Sequence, residues 1–179
     1  MKKIICSFLL LSLCIAMPAF THKNGLPREG APIGINPDLL RFFTGHWSGE
    51  GAFAGGGKIS ADLTFALSLD SCWLVYEHRD RLPNTYKATS FWGVDGQTGQ
   101  FVAYTLDNFH GHREWNSNGW KNGKLILSTH GYNGQMGSYY EHFIYEKLTD
   151  NSFKMTYEWS GDGISWQLGD YLIFTRSGS

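Results

Sequence analysis

Lys58-Ile59-Ser60-Ala61-Asp62-Leu63-Thr64-Phe65-Ala66-Leu67-Ser68-Leu69 decides the fold class. Ile59, Ala61, Leu63, Phe65, Leu67 and Leu69 alternate with Ser60, Asp62, Thr64 and Ser68, and only Ala66 weakens the period of two. Successive side chains of a strand point to opposite faces, so this pattern predicts a strand with one apolar face on a core. Phe153, Met155, Tyr157 and Trp159 alternate with Lys154, Thr156 and Glu158 in the same way.

Outward from these two segments the chain is a series of short runs. Turn signals separate them at Gly55-Gly56-Gly57, Asp95-Gly96, Asn122-Gly123, Asp150-Asn151 and Asp162-Gly163. The spacing predicts ten strands, near 46–54, 58–69, 72–81, 85–93, 100–107, 112–119, 124–131, 137–148, 152–160 and 164–176. Connections this short are hairpins, which makes an all-β, antiparallel up-and-down meander the simplest topology. Such a sheet loses its edges by closing into a barrel, and eight to ten strands leave an interior able to hold a small ligand. A two-sheet sandwich would need a long crossover, which the sequence lacks. One short helical turn is expected at Pro37 to Phe43, with Asn36 as cap, Pro37 at the first helical position, and Leu39, Leu40 and Phe43 on one side.

Of 179 residues, 42% are hydrophobic, 16% aromatic and 17% charged, which excludes extended disorder. Fifteen Lys and Arg against sixteen Asp and Glu give a net charge of −1, which argues against a phosphate-neutralising nucleic-acid surface. Lys2 and Lys3 followed by an uncharged stretch from Ile4 to Met17 form a signal-peptide pattern over 1–19, with cleavage after Ala19 or Ala16. The stretch is short of the ~20 residues a membrane helix needs, and Pro18 ends it. The expected address is therefore exported, periplasmic or secreted, with no transmembrane segment. Leu11-Ser12-Leu13-Cys14 resembles a lipoprotein box but has Leu where a small residue belongs, which leaves a lipoprotein as the lesser alternative. Cys6 and Cys14 fall in the leader, so Cys72 alone remains and no internal disulfide can form. Residues 20–37 read as a linker and 38–176 as the barrel domain.

Phe43-Thr44-Gly45-His46-Trp47-Ser48-Gly49-Glu50-Gly51 contains the G-x-W pattern that resembles the first strand of lipocalins, fatty-acid-binding proteins and the wider calycin group. Its longer form, G-x-W-x-G-x-G, is similar to the opening of the nitrobindins. Over 38–176, with Val94-Asp95-Gly96-Gln97-Thr98-Gly99 and the terminal Trp166 to Arg176 run, the chain most resembles a family of bacterial secreted lipocalin-like domains of unknown function. The calycin resemblance implies that Gly45, Trp47 and Arg176 close the barrel floor, the arginine packing across the indole. Nitrobindins hold haem through a histidine near the chain end, and residues 143–179 here contain none.

Several residues could carry chemistry. His110, His112 and Glu114 share one face of an extended strand, the spacing of a two-histidine, one-carboxylate metal site; the plainer reading is a turn at Asn108 to Gly111 with both histidines outside. His142 lies in Tyr139-Tyr140-Glu141-His142-Phe143-Ile144-Tyr145, either facing a ligand or satisfied in the core by a tyrosine hydroxyl. His130 and His78 sit on strands of undetermined facing. Cys72, before Trp73 in an apolar run, reads as a structural thiol. Tyr86, Trp92, Tyr104, Trp115, Tyr140, Tyr157 and Trp159 either fill the core or line a cavity.

The expectation is an exported lipocalin-like barrel that binds a small hydrophobic or aromatic molecule and uses Tyr140, His142, Tyr157, Trp159 and His130 as its binding surface; no catalysis is identifiable, and the sequence calls for no particular cofactor and names none. The alternatives are a metal- or haem-dependent barrel enzyme using His112 or His142, and an envelope protein-interaction barrel without an open cavity.

Overall fold

The computed structural model describes residues 34–133 and 137–178. The leader, Cys6, Cys14 and all of the 20–37 linker before Gly34 lie outside the described residues.

Period-two alternation recurs in ten strands: β1 (Gly45–Phe53), β2 (Lys58–Ser68), β3 (Trp73–Asp80), β4 (Lys87–Val94), β5 (Phe101–Asp107), β6 (His112–Ser117), β7 (Lys124–Asn133), β8 (Gly137–Thr149), β9 (Ser152–Ser160) and β10 (Gln167–Arg176). Each pairs antiparallel with its sequence neighbours, and β1 closes on β10 from Trp47↔Arg176 to Phe53↔Asp170. The result is a closed up-and-down barrel, in which no strand is left as an unpaired edge. Its loosest seam is β6 to β7, where only Asn116↔Ser128 pair in register.

The helical turn, α1 (Pro37–Phe43), forms for the expected reasons. Asn36 Oδ1 accepts from the amides of Asp38 at 2.8 Å and Leu39 at 3.3 Å, and Pro37 opens the first turn. Leu39, Phe42 and Phe43 are buried. They plug one end of the barrel: Phe43 meets Phe65 at 5.0 Å, Phe153 at 5.3 Å and Trp92 at 5.4 Å between ring centroids.

Trp47 and Arg176 fasten this plug. The Arg176 guanidinium lies 4.2 Å from the Trp47 ring centroid and donates to the carbonyls of Thr44 at 2.8 Å and Phe42 at 2.5 Å. Trp47 Nε1 donates to the Phe43 carbonyl at 2.8 Å. Three carbonyls left open where the helix ends thus find donors. Gly45 has φ of +124°, and a Cβ there would stand 2.9 Å from Arg176 Nη1. At Gly49 a Cβ would run into the Phe174 ring, 2.4 Å away, so the glycines of the opening motif make room for the floor.

The inward face of β2 ends earlier than its alternation does. Ile59, Ala61, Leu63 and Phe65 are buried, but Leu67 is 44% and Leu69 66% exposed. The strand has passed the barrel rim by then, and Leu69, Asp70 and Ser71 turn through positive φ. Cys72 falls in that turn and is exposed, so the expectation of a thiol inside a strand is corrected. The last strand begins at Gln167 and not at 164, because Asp162 gathers 161–166 into a turn by accepting from the amides of Ile164 and Ser165.

Candidate functional site

Away from α1 the inward residues no longer meet. A cavity of about 480 Å³ runs from the barrel interior to the mouth opposite the helix. Its inner walls are Trp92, Trp115, Leu127, Tyr145, Met155 and Leu172, all at most 3% exposed. Around its mouth stand Phe53, Asp80, Tyr86, Arg113, Tyr157 and Asp170, from six different strands or adjoining loops.

The polar groups of the wall are bonded to one another. On β3, Leu74, Tyr76 and His78 are buried in alternation and Asp80 continues their face. His78 Nε2 lies 2.7 Å from Asp80 Oδ1 and Nδ1 lies 2.8 Å from the Tyr76 hydroxyl. A carboxylate only accepts, so Nε2 carries a proton, and in the neutral ring Nδ1 accepts from Tyr76. Across the mouth, Arg113 donates from Nε to Glu141 at 2.9 Å and from Nη1 to Asp107 at 3.0 Å. Glu141 also accepts from the Tyr157 hydroxyl at 2.6 Å. Deeper, Trp115 Nε1 donates to Thr105, whose hydroxyl donates to Ser90 at 2.8 Å. Among the described residues one buried side-chain polar atom has no partner, Trp92 Nε1, whose indole is packed by the rings of Phe43, Phe65 and Tyr145.

Burial shifts the titration of these groups. It raises Tyr76, Tyr145 and Tyr157, helped at Tyr157 by the hydrogen bond to Glu141, and pushes Tyr86 up to about 12 with the charge of Asp107 adding to it. The phenols are therefore neutral hydrogen-bonding groups throughout the physiological range. Burial works against the charge of Arg113, but Glu141 overrides it and raises the guanidinium further. Asp170 is pushed up to about 6 by burial first and then by the charge of Asp80.

Of the five residues expected to bind a ligand, the structure puts Tyr157 in the cavity wall. Trp159 pairs with Glu141 and shares its face without lining the cavity. His142, Tyr140 and His130 do not join them. Glu141, Phe143 and Tyr145 take the inward positions of β8, which turns its even-numbered residues outward. On that outer face His142 stacks on Trp166 at 3.6 Å with Nδ1 3.0 Å from Glu158, and His130 stacks on Tyr140 at 4.5 Å. The partner of His142 is thus a carboxylate on the outer face, which is neither of the two readings its sequence surroundings offered, a ligand or a tyrosine hydroxyl in the core. His112 and Glu114 are exposed on the outside of β6, and His110 sits beyond the strand in a left-handed turn. No group of three His, Cys, Asp or Glu side chains is placed to hold a metal among the described residues.

Sequence reasoning named His78 without its facing, and the residues it missed are Asp80, Asp107, Arg113, Glu141 and Asp170. One signal was present: Tyr76, His78 and Asp80 follow Leu74 at intervals of two, a polar continuation of an apolar face.

The fold and its cavity define a closed ten-strand antiparallel barrel compatible with a calycin- or lipocalin-like fold. No protein-family model matches the chain, and no curated protein matches it. No helix among the described residues is long and apolar enough to cross a membrane.

Proposed function

We propose that this chain is an exported binding protein whose barrel takes up a small, mostly apolar molecule. The observation that carries the reading is the cavity of about 480 Å³, walled by rings and aliphatic side chains and rimmed by a few polar groups. Small-molecule sites are concave, of roughly 300–1,000 Å³, and pair an apolar lining with few polar anchors. Most polar groups of this lining already satisfy one another, so the inner chamber presents carbon to a guest. The leader pattern at 1–19 supports export.

Nile red, an uncharged apolar dye, tests the reading. Trp92 and Trp115 form part of the wall, so bound dye should quench tryptophan emission and gain fluorescence itself, with saturation near one dye per chain. The Ala88→Phe variant, which puts a ring into the cavity, should bind it less well. Wild-type protein that neither quenches nor brightens the dye would overturn the reading.

A further inference from the structure

The cavity mouth carries more negative charge than its own cations cancel. Asp80, Asp107, Glu141 and Asp170 stand there with one guanidinium, Arg113, and one imidazole, His78. Arg113 is taken by two carboxylates at once, and Asp80 is bonded to His78. Asp170 is left over: burial and the like charge of Asp80 act on it, and no hydrogen bond or ion pair reaches its carboxylate among the described residues.

The neighbours of Asp170 are rings. In the barrel register it lies between Phe53 on β1 and Tyr157 on β9, and all three line the cavity. Directly paired residues on adjacent strands hold their Cβ atoms about 4.5–5.5 Å apart, so the carboxylate is flanked on both sides within reach of one small group. A carboxylate between two aromatic side chains, at the end of an apolar chamber, complements an ammonium ion: the carboxylate accepts its hydrogen bonds and the ring faces attract its charge. A carboxylate ligand would meet Asp80 and Asp170, and among the described residues of the cavity lining the guanidinium of Arg113 is already shared by two carboxylates.

We propose that the ligand is an organic cation, its apolar body against Trp92, Trp115 and Leu127 and its protonated amine at Asp170 between Phe53 and Tyr157. This rests on the binding reading above and names the chemical class that the same cavity takes.

Three compounds with one body and different heads separate the outcomes: phenylbutylamine, phenylbutanol and phenylbutyrate, each displacing Nile red from the purified protein. The amine should compete about tenfold more tightly than the alcohol, and the carboxylate least well. Asp170→Asn should bring the ratio of amine to alcohol affinity to about one, a ratio read within the variant so that any general change in the cavity cancels, and its far-UV circular dichroism reports an intact barrel. Phe53→Leu, which removes a ring and no charge, should reduce the same advantage in part. The groups facing Asp170 are Asp80 and His78 from β3, Tyr86 from the loop before β4, Tyr145 from β8, Tyr157 from β9 and Arg113 from β6. The amine's advantage should grow as pH rises through about 6, where Asp170 ionises, and that step should vanish in Asp170→Asn, which separates it from changes at His78 or Asp80. Alcohol or carboxylate competing as well as the amine, or an advantage untouched in both variants, would overturn the cation assignment and leave the cavity reading standing. If neither the dye nor any of the three binds, both fall.

Discussion

The two ends of this barrel are built from the same ten strands and do opposite things with charge. At the floor, Arg176 gives its donors to the backbone carbonyls of Phe42 and Thr44 and its flat face to Trp47. At the mouth, Arg113 is held by two side-chain carboxylates, and another carboxylate, Asp170, is left without a cation. The floor fills its volume with Phe42, Phe43, Trp47, Phe153 and Phe174, while the mouth encloses space. The contrast shows how a barrel divides its work: packing at one end holds the strands in register, so that the other end can keep polar groups partly desolvated around a void.

If that division is right, substitutions at the two ends should fail differently. Trp47→Ala removes a fully packed indole, its cation contact and its hydrogen bond to Phe43, and should cost about 3–5 kcal/mol in urea unfolding. A loss below about 1 kcal/mol would mean that the floor does not carry the barrel. Arg113→Met strands Asp107 and Glu141, whose side chains are 4% and 5% exposed, and should cost about 2–4 kcal/mol. That loss should shrink in the double variant with Glu141→Gln, because one of the two charges left unpaired is then removed; no shrinkage would break the account of the mouth as an electrostatic network.

Ala88→Phe acts on the void alone. Ala88 is 7% exposed and lines the cavity on β4. A ring placed there has space to enter, so the urea midpoint should stay within about 1 kcal/mol of the parent while Nile red affinity drops by about tenfold or more. Equal loss of stability and binding would show that the mouth is packed as tightly as the floor.

How much of this was legible in the sequence differs between the same two ends. The ten strands follow from period-two alternation and from turn residues within a few positions, all local information, and the fold class was read correctly from them. The Trp47 to Arg176 contact was reachable through the G-x-W resemblance alone, since 129 positions separate the two residues and no local pattern links them. The mouth was read poorly. His142 sits among aromatics on both faces, and only the register of β8 against β9 shows that Glu141 turns inward while His142 turns out. Arg113 and Glu141 are 28 residues apart, and Asp170 approaches Asp80 only because the sheet closes on itself. Polar cavity walls are assembled across the barrel, so one strand's pattern gives little warning of them. Tyr76, His78 and Asp80 are the exception, a polar run in phase with buried Leu74.

The smallest predicted effect bears on Asp170 most directly. Its carboxyl is pushed up to about 6 from an ordinary 3.8, so between those values the folded chain holds a proton that the unfolded chain has released. The contribution of Asp170 to stability must then fall as pH rises from about 4 to about 6 and level off above, with the sign opposite to that of a salt-bridged carboxylate. The side chain is partly open to water, which limits the contribution to about 1–2 kcal/mol. Asp170→Asn cannot ionise, so the parent should lose stability relative to it across that window and lie below it above pH 6. The floor variant Arg176→Met should shift the whole curve downward without changing its slope there, because no carboxylate touches that guanidinium among the described residues. Urea midpoints for the three proteins at four pH values decide the matter. A parent that gains stability relative to Asp170→Asn through the window would mean that Asp170 has a cationic partner at the mouth, and the contrast between a charge-satisfied floor and an unsatisfied mouth would be lost.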